Sequence, residues 1–359
     1  MYKRQHLGLS RNTVSKALKN SSEVSENTRN LVIKTASKLG YKNATFATPV
    51  IPASETGSNG TILFLTRTYA SDSEFWTTVL RGIESILSNA NYHLAISIMS
   101  DSDLKQLNFP QTISDSSIKG IILVEICDKV GCDALSQFNL PIVSVDMPNV
   151  PFEELNGIDV VTMESKKNLK KIINQLIEKG AESFGFVGDL YSPNVSRGFQ
   201  ERYNALSECL AEHQLPLNQK NCLLHQTPED FRNFQTTVNN LQAMISLPDV
   251  FICGNDWTAI QLIYALQFLG FQIPKDICVV GFDNIPAASR ISPSLTTIST
   301  PQKYLGIAAA RQILERIQHP NCPHVFCQYE TELIIRNSTN ITFVSYTHLR
   351  AHETKANLV

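Results

Sequence analysis

Short apolar runs alternate with helical patterns from about residue 60 to the C-terminal part of the chain. The runs are nearly continuous in Ile, Leu, Val and Phe, as in parallel strands that are buried on both faces. Between them, apolar residues recur at helical spacing, and this alternation predicts open, doubly wound α/β sheets. The predicted strands are 61–66, 94–99, 120–126, 141–146, 159–163, 183–188, 221–225, 249–254 and 278–283. The predicted helices include 76–89, 165–179, 197–213, 230–245, 257–269 and 302–317.

The first 45 residues follow a different pattern, in which residues 9–18 form a short amphipathic helix. Ser10 stands at its start, where a hydroxyl can cap free backbone N–H groups, and Gly8 suits a tight turn just before it. Arg11 and Asn12 fall at the exposed N-terminal end of this helix. Such side chains can contact guanine and adenine edges, and helix-turn-helix proteins read bases from this end of their second helix. A surface helix that carries one Arg and one Asn by chance is an equally good reading of these ten residues alone.

Residues 20–42 favour the helix-turn-helix interpretation. Ser25 is placed to cap a further helix, although the capping box is incomplete because Thr28 stands where Glu is usual. Gly40 is a natural stop for that helix. A third helix therefore closes a small three-helix unit, and its apolar stripe consists of Leu31, Val32, Ala36 and Leu39.

The order of residues in this unit is distinctive. It reads Leu-Gly-Leu-Ser-Arg-Asn-Thr-Val-Ser-Lys-Ala-Leu from Leu7, then Val-Ser-Glu-x-Thr-Arg, then Leu-Gly-Tyr. From about Leu7 to Lys42 it resembles the DNA-binding headpiece of the LacI (lac repressor) family of bacterial transcription regulators. The resemblance implies that Arg11 and Asn12 read bases and that Lys16 makes a base or phosphate contact. It implies a supporting role, in the fit to the DNA backbone, for Ser10, Thr13, Ser15 and Asn20.

The charge distribution agrees with a nucleic-acid-binding head. The whole chain of 359 residues has a formal charge of −2, but residues 1–45 hold nine Lys or Arg against Glu23 and Glu26. The head therefore carries +7 and the remainder −9. A basic unit on an acidic body is typical of a phosphate-binding head attached to a ligand-binding module.

Three segments of the body carry recognisable residue orders. They are Phe75-Trp76 with Arg81-Gly82-Ile83; Phe186-Val-Gly-Asp with Arg197-Gly-Phe-Gln-Glu-Arg-Tyr; and Ile252-Cys-Gly-Asn-Asp-Trp with Val280-Gly-Phe-Asp-Asn. They resemble the effector-binding core of the LacI family, which is similar to the periplasmic sugar-binding proteins. The whole resemblance runs over roughly residues 7–339 and implies two lobes joined by three crossovers.

The predicted fold class is therefore α/β: an N-terminal three-helix helix-turn-helix head and two doubly wound α/β lobes of periplasmic-binding-protein type. The head spans residues 1–45, a hinge or linker spans 46–59, and an effector-binding and dimerisation core spans 60–339. We expect an N-lobe of about 60–163 and 296–322 and a C-lobe of about 164–295 and 323–339. Because neither end resembles the family, we expect a truncated N-terminus and a non-native tail over 340–359.

Candidate ligand-binding residues follow the predicted strands, because open α/β sheets bind ligands beyond the carboxyl ends of their strands. Planar guanidinium groups, carboxylates and an amide can hydrogen-bond vicinal hydroxyls, while aromatic rings cover an apolar face, which suits a polyhydroxylated effector. The resemblance also places four of these residues, Arg197, Asn255, Asp256 and Asp283, in or beside the effector cleft. The full candidate set is Phe75, Trp76, Arg197, Asn255, Asp256 and Asp283.

Each of these candidates has a structural alternative. Trp76 can belong to the core, and Arg197 can be a surface residue in the first turn of a helix. Asp256 and Asp283 can be cap or turn residues, and for Asp256 that role is as well supported as ligand contact.

The linker departs from the family pattern. Family hinges form a helix on DNA whose Leu enters the minor groove. Here Pro49 would interrupt such a helix, and the family's first Pro and its Arg are missing from the segment that begins at Tyr41. The sequence therefore predicts a hinge helix of a few residues at most.

Other classes of protein find little support. No apolar run is long enough for a membrane span, and the N-terminus lacks the apolar core of a signal peptide. The eight cysteines are scattered, which suggests reduced thiols in the cytoplasm. No cofactor motif, catalytic triad order or phosphate loop is present, and we expect no enzyme, cofactor or metal. A zinc site could be drawn from His319, Cys322, His324 and Cys327, but their spacing matches no common ligand framework.

The predicted function is a cytoplasmic, homodimeric transcription regulator that acts as a repressor. Its partners would be a pseudo-palindromic double-stranded operator and a small-molecule effector, most simply a sugar. The alternative is a sugar-binding module whose DNA head is not functional. An enzyme using Glu125, Asp256 and Asp283 as acid and base ranks third.

Overall fold

The computed structural model describes residues 58–67, 73–126, 128–190, 197–225 and 233–340. In the head it describes Ser10, Thr13, Lys16, Val24, Ser25, Thr28 and Val32. The chain divides into two units, residues 1–57 and residues 58–359.

The second unit alternates strands and helices as the sequence predicts. Its strands are β1 (Gly60–Thr66), β2 (Tyr92–Ile98), β3 (Ile118–Val124), β4 (Ile142–Val145), β5 (Ile158–Met163), β6 (Phe184–Asp189), β7 (Leu223–His225), β8 (Val250–Cys253), β9 (Cys278–Asp283), β10 (Thr296–Ser299), β11 (Phe326–Tyr329) and β12 (Glu332–Ile334). Its helices are α1 (Glu74–Asn89), α2 (Asp101–Gln106), α3 (Lys129–Ser136), α4 (Lys167–Glu178), α5 (Arg197–Glu212), α6 (Phe234–Ala243), α7 (Asp256–Phe268) and α8 (Gln302–Gln318).

The first sheet has the strand order β11-β5-β4-β3-β1-β2, and its strands pair in parallel. Apolar residues of α1 and α8 cover one face of this N-lobe sheet, and those of α2 and α3 cover the other. Gly82 and Gly306 let α1 and α8 pack closely, because a Cβ at either position would collide with backbone of the opposite helix. The four central strands β1, β3, β4 and β5 are thus buried on both faces, as their continuous apolar sequences predict, while the edge strands β2 and β11 are partly exposed.

The second sheet has the order β12-β10-β9-β8-β6-β7 and is parallel except for the antiparallel pair β10–β12. Residues of α4 and α5 pack on one face of this C-lobe sheet, and residues of α6 and α7 pack on the other. Two doubly wound sheets of similar topology therefore make up the body, as predicted.

Two of the three crossovers between the lobes lie elsewhere than the sequence suggested. β10, assigned to the N-lobe, pairs with β9 of the C-lobe sheet. β11, assigned to the C-lobe, pairs with β5 of the N-lobe sheet. The chain therefore changes lobe near residues 164–166, 300–301 and 330–331. The predicted segments 296–322 and 323–339 are wrong at these points, because β10, β11 and β12 are too short and polar for their partners to be read from sequence.

The described residues of the head agree with its predicted helix starts. The backbone N–H of Thr13 donates to Ser10 Oγ over 3.1 Å, so Ser10 caps the helix that contains Thr13 and Lys16. The Ser25 and Thr28 hydroxyls lie 2.8 Å apart at the start of the helix that contains Val32, which is buried. Arg11, Asn12, Ser15 and Asn20, most of the linker and residues 341–359 lie outside the described residues.

Across the described ranges, no helix is long and apolar enough to cross a membrane.

Candidate ligand-binding cleft

Several residues at the carboxyl edges of the two sheets have left-handed backbone conformations. Glu125 follows β3 with φ +60°, Asp146 follows β4 with φ +78°, Asp283 ends β9 with φ +115°, and Asn284 comes next with φ +56°. Residues other than glycine adopt this region at a cost of about 1–3 kcal/mol, and they cluster at functional sites. The carboxyl edges are also where open α/β sheets bind ligands. Four of the eight described non-glycine residues with positive φ therefore lie at the edges where a ligand is expected.

Charged groups on the two carboxyl edges are close enough to act on one another, which indicates a cleft between the lobes. Burial is the main cause of the raised pKa of Asp283; Arg202 opposes the shift, and the carboxylates of Asp256 and Asp146 add to it. Burial likewise raises the pKa of Glu201, which Arg197 lowers and Asp146 raises further. Because Asp146 belongs to the N-lobe and the other charged groups to the C-lobe, these interactions cross the cleft.

Phe75 and Trp76 begin α1 and lie mostly in the core of the N-lobe. Each is 8% exposed, and their rings meet edge to face with centroids 4.7 Å apart. The indole N–H of Trp76 donates to Glu125 Oε1 over 2.9 Å. Most of the Trp76 side chain therefore belongs to the core, which is the structural alternative given above. Its polar edge fixes the carboxylate of Glu125 at the cleft edge.

Arg197 is the first residue of α5, and its side chain is 39% exposed. Its Nε lies 2.9 Å from Oε1 of Glu201, one helical turn later. The guanidinium is thus accessible from solvent, and its Nε is paired with the Glu201 carboxylate.

Arg202, which is also on α5, was not among the sequence-predicted candidates. It is 3% exposed, its Nη1 donates to the carbonyl of Gly254 over 2.6 Å, and its guanidinium lies 3.6 Å from the centroid of the Phe282 ring. Within the described part of the chain, its Nε has no hydrogen-bond partner. Burial lowers the pKa of Arg202, and the carboxylates of Asp283, Asp146, Glu201 and Asp256 oppose that shift. The available signal was helical spacing: an arginine on the same stripe as the buried residues Ala205, Leu206 and Cys209.

Asn255 and Asp256 support the cleft from behind. The Asn255 side chain accepts the backbone N–H of Thr258 over 2.9 Å and caps α7. Asp256 has no exposed surface, and its carboxylate accepts from Ile285 N–H over 2.9 Å and Thr297 Oγ1 over 2.6 Å. Gly281 leaves room for this carboxylate, which a Cβ would strike. In this conformation Asp256 therefore holds loops together and does not reach a ligand, and burial raises its pKa to about 7.

Asp283 is held by its backbone while its carboxylate stays available. Its carbonyl accepts from Gln302 Nε2 over 2.6 Å and from Thr300 Oγ1 over 3.2 Å, which ties it to the crossover at residues 300–301. The side chain is 9% exposed, and no hydrogen bond to its carboxylate occurs among the described residues. Of the predicted candidates, Asp283 has the geometry most suited to ligand contact.

The segment 319–327, from which a zinc site could be drawn, takes part in a hydrogen-bonded cluster around Asp159 and Arg316. Asp159 of β5 forms a bidentate ion pair with Arg316, through Oδ2 to Nε at 3.1 Å and Oδ1 to Nη2 at 2.8 Å. Arg316 also donates to the carbonyls of Pro320, Cys322 and Pro323. His324 Nδ1 lies 3.2 Å from Asp159 Oδ1. Among the residues that the structure describes, no group of three His, Cys, Asp or Glu side chains is arranged to hold a metal.

Similarity to known proteins agrees with both parts of this architecture. Residues 6–43 match the family of bacterial regulatory proteins of the lacI type, and residues 173–339 match the periplasmic binding protein-like domain. The chain is 27% identical to the ribose operon repressor of Haemophilus influenzae over 92% of its own length and 95% of that protein. It is 26% identical to the HTH-type transcriptional repressor PurR of Photobacterium profundum, with the same coverage. A LacI family transcriptional regulator from Enterococcus faecium, solved with bound ribose, superposes with a TM-score of 0.64 at 25% identity, covering 78% of this chain and 98% of that one.

A basic helix-turn-helix head joined to two periplasmic-binding-protein-like lobes defines a ligand-responsive DNA-binding regulator. The chain carries a lacI-type DNA-binding domain and a periplasmic binding protein-like domain, and the relatives it resembles over most of its length are transcriptional repressors.

Proposed function

We propose that this chain is a cytoplasmic, homodimeric repressor whose affinity for operator DNA is set by a small polyhydroxylated effector bound between its lobes. The observation that carries the proposal is the pair of facing carboxyl edges, on which Asp146 interacts electrostatically with Glu201, Arg202 and Asp283 of the other lobe. Relatives named for ribose and purine regulation support a small-molecule effector. An effector that binds one arrangement of the lobes more tightly shifts the equilibrium between DNA-binding states.

The DNA-binding half is tested by selecting bound duplexes from a random pool with the full chain at moderate salt. We expect a short pseudo-palindrome, because a two-fold symmetric dimer presents two identical heads. Recovery of no specific sequence would instead favour the alternative, a ligand-binding module without a functional DNA head.

Two substitutions in the head separate base reading from phosphate contact. Arg11→Ala should relax specificity at one operator position at a cost of about 1–3 kcal/mol, because a base contact is lost. Lys16→Ala is its matched control and should weaken all sequences alike if its contact is to phosphate. Binding of single-base operator variants, measured by fluorescence anisotropy, distinguishes the two. Equal loss on every variant after Arg11→Ala would sink the base-reading role.

Asp283→Asn tests the ligand-binding half. The change keeps the shape of the side chain but removes the carboxylate charge beside Arg202, so we expect effector affinity to fall about 10- to 100-fold. Operator affinity without effector should stay within about twofold of wild type, because Asp283 lies in the lobes and not in the head. Calorimetric titration gives the effector affinity. An unchanged value would show that Asp283 does not contact the ligand.

A further inference from the structure

Among the described residues of the cleft, carboxylates outnumber cations, and Arg197, Arg202 and Lys166 each have a protein partner. The acidic groups are Glu125 and Asp146 on the N-lobe edge and Glu201 and Asp283 on the C-lobe side. Arg197 pairs with Glu201 at 2.9 Å. Arg202 donates to Gly254 and stacks on Phe282. In each guanidinium at least one nitrogen is already paired within the protein, so neither offers all of its donors to a phosphate or a carboxylate.

Asp283 shows which kind of group the cleft lacks. The residue as a whole is 9% exposed, its carboxylate oxygens keep some contact with solvent, and no described residue donates a hydrogen bond to them. A largely enclosed acceptor that has no protein donor can gain a hydrogen bond when a ligand supplies a hydroxyl or an amine. A phosphate or carboxylate offers acceptors to this group and would add to the repulsion that Asp146 already exerts on it.

Two effects therefore weaken the binding of an anionic ligand to this cleft. An anion would enter a partly buried site among acidic groups, where Coulomb interactions are stronger than in water. The described cations that its oxygens would meet are each already paired with a protein group. Leaving buried polar groups unmatched discriminates between ligands far more strongly than a small difference in apolar contact.

We propose that the cleft selects an uncharged or amine-bearing polyhydroxylated ligand and rejects phosphorylated or carboxylated forms of the same skeleton. This inference rests on the proposed function, since it specifies the chemistry of the same cleft. Donors of the ligand pair with Asp283, and the Arg197–Glu201 pair prevents Arg197 from receiving an anion.

The test uses the full chain and matched sets of ligands. The sets are D-ribose with D-ribose 5-phosphate, and D-glucose with D-glucosamine, D-glucose 6-phosphate and D-glucuronate. Thermal unfolding is measured first, and calorimetry then gives affinities for the members that stabilise. We expect a neutral or amine-bearing member to bind at least tenfold more tightly than the anionic members of its set. Equal or tighter binding of an anionic member overturns the inference.

Variants on one helix make the test specific to charge. Glu201→Gln removes the ion pair with Arg197. We expect this change to lower, at least fivefold, the ratio of the affinity for the neutral sugar to the affinity for the phosphorylated sugar. The double change Arg197→Gln with Glu201→Gln should restore the preference. Glu208→Gln is the matched control, because Glu208 is a half-exposed residue of the same helix that pairs with Lys166 and Lys170. Equal preferences in wild type and Glu201→Gln overturn the assigned role of this pair.

Failure of the inference and failure of the proposed function give different results. If an anionic sugar binds and releases the operator, the regulatory function stands and the charge selectivity is wrong. If no member of either set binds, the polyhydroxylated ligand class is wrong and the inference falls with it, while selection of an operator still tests the DNA-binding half separately.

Discussion

Two arginines of this protein are buried to a similar degree but differ in how many of their N–H groups have hydrogen-bond partners. Arg316, at 5% exposure, places its Nε and both terminal nitrogens on Asp159 or on carbonyls of the loop after α8. Arg202, at 3% exposure, makes one hydrogen bond and stacks on a ring, and its Nε has no partner among the described residues. The first arginine is saturated with acceptors and the second is not.

The pKa values of the neighbouring carboxylates, Asp159 and Asp283, are shifted in opposite directions. Burial by itself would raise the pKa of Asp159, but hydrogen bonds from Arg316, Gln312 and Val325 N–H outweigh it and the pKa is lowered. Burial raises the pKa of Asp283, and Arg202 does not offset it. Hydrogen-bond saturation, more than burial, therefore separates a buried charge that stabilises the fold from one that can bind a ligand.

The largest expected effect is on the saturated arginine. Arg316→Met should lower the free energy of unfolding by about 3–5 kcal/mol, because it leaves the Asp159 carboxylate buried without its cation. Urea denaturation measures the change. Arg311→Met is the matched control on the exposed side of the same helix and should cost less than about 0.5 kcal/mol. A loss below about 1 kcal/mol for Arg316→Met would remove the distinction between the two arginines.

The second expected effect concerns pH and Asp256, behind the cleft. Burial raises the pKa of Asp256 in the folded protein from its ordinary value of 3.8 to about 7. Its contribution to stability is therefore complete below about pH 4 and is lost as pH rises towards 7, by at most about 1.4 kcal/mol per pH unit. Asp159, with its lowered pKa, contributes in the opposite sense: its stabilisation is present above pH 3.8 and is lost as the solution becomes more acidic.

Urea denaturation of wild type and Asp256→Asn between pH 4 and pH 8 checks this sign. The fall in stability with rising pH should be shallower in the variant. Parallel curves for the two proteins would show that Asp256 does not titrate in this range.

The smallest expected effect on stability is that of the unsaturated arginine. Arg202→Met should cost about 1–2 kcal/mol, because it removes one hydrogen bond to Gly254 and the stacking of the guanidinium on Phe282 but breaks no fully hydrogen-bonded ion pair. Denaturation in parallel with Arg316→Met gives the comparison under identical conditions. If both substitutions cost the same, hydrogen-bond saturation does not distinguish structural from ligand-binding charges in this protein.

Much of the fold was predictable because it depends on local patterns. The nine predicted strands correspond to β1–β9, since continuous apolar runs and helical stripes are read within ten to twenty residues. The short helices α2 and α3 and the strands β10, β11 and β12 were missed. β10 reads Thr-Thr-Ile-Ser and is a strand only because β9 and β12 lie on either side of it.

The candidate cleft was predictable in position but not in its roles. Asp283 was identified because it ends an apolar strand, and the structure keeps its carboxylate available. Asp256, three residues after the end of β8, points inward to Thr297 and Ile285. Both residues follow the same sequence rule, so only their tertiary partners separate them.

The sequence by itself determined the alternation of strands and helices, the basic head with its capped helices and the family motifs, because each depends on neighbouring residues. The tertiary structure decided which strands belong to which lobe and which charged groups are satisfied. Asp159 and Arg316 are 157 residues apart, and Asp256 and Thr297 are 41 apart. Hydrogen-bond partners so far apart in sequence come together only in the folded protein. Such partners make the buried carboxylates of Asp159 and Asp256 structural supports, whereas the carboxylate of Asp283 has none and stays available to a ligand.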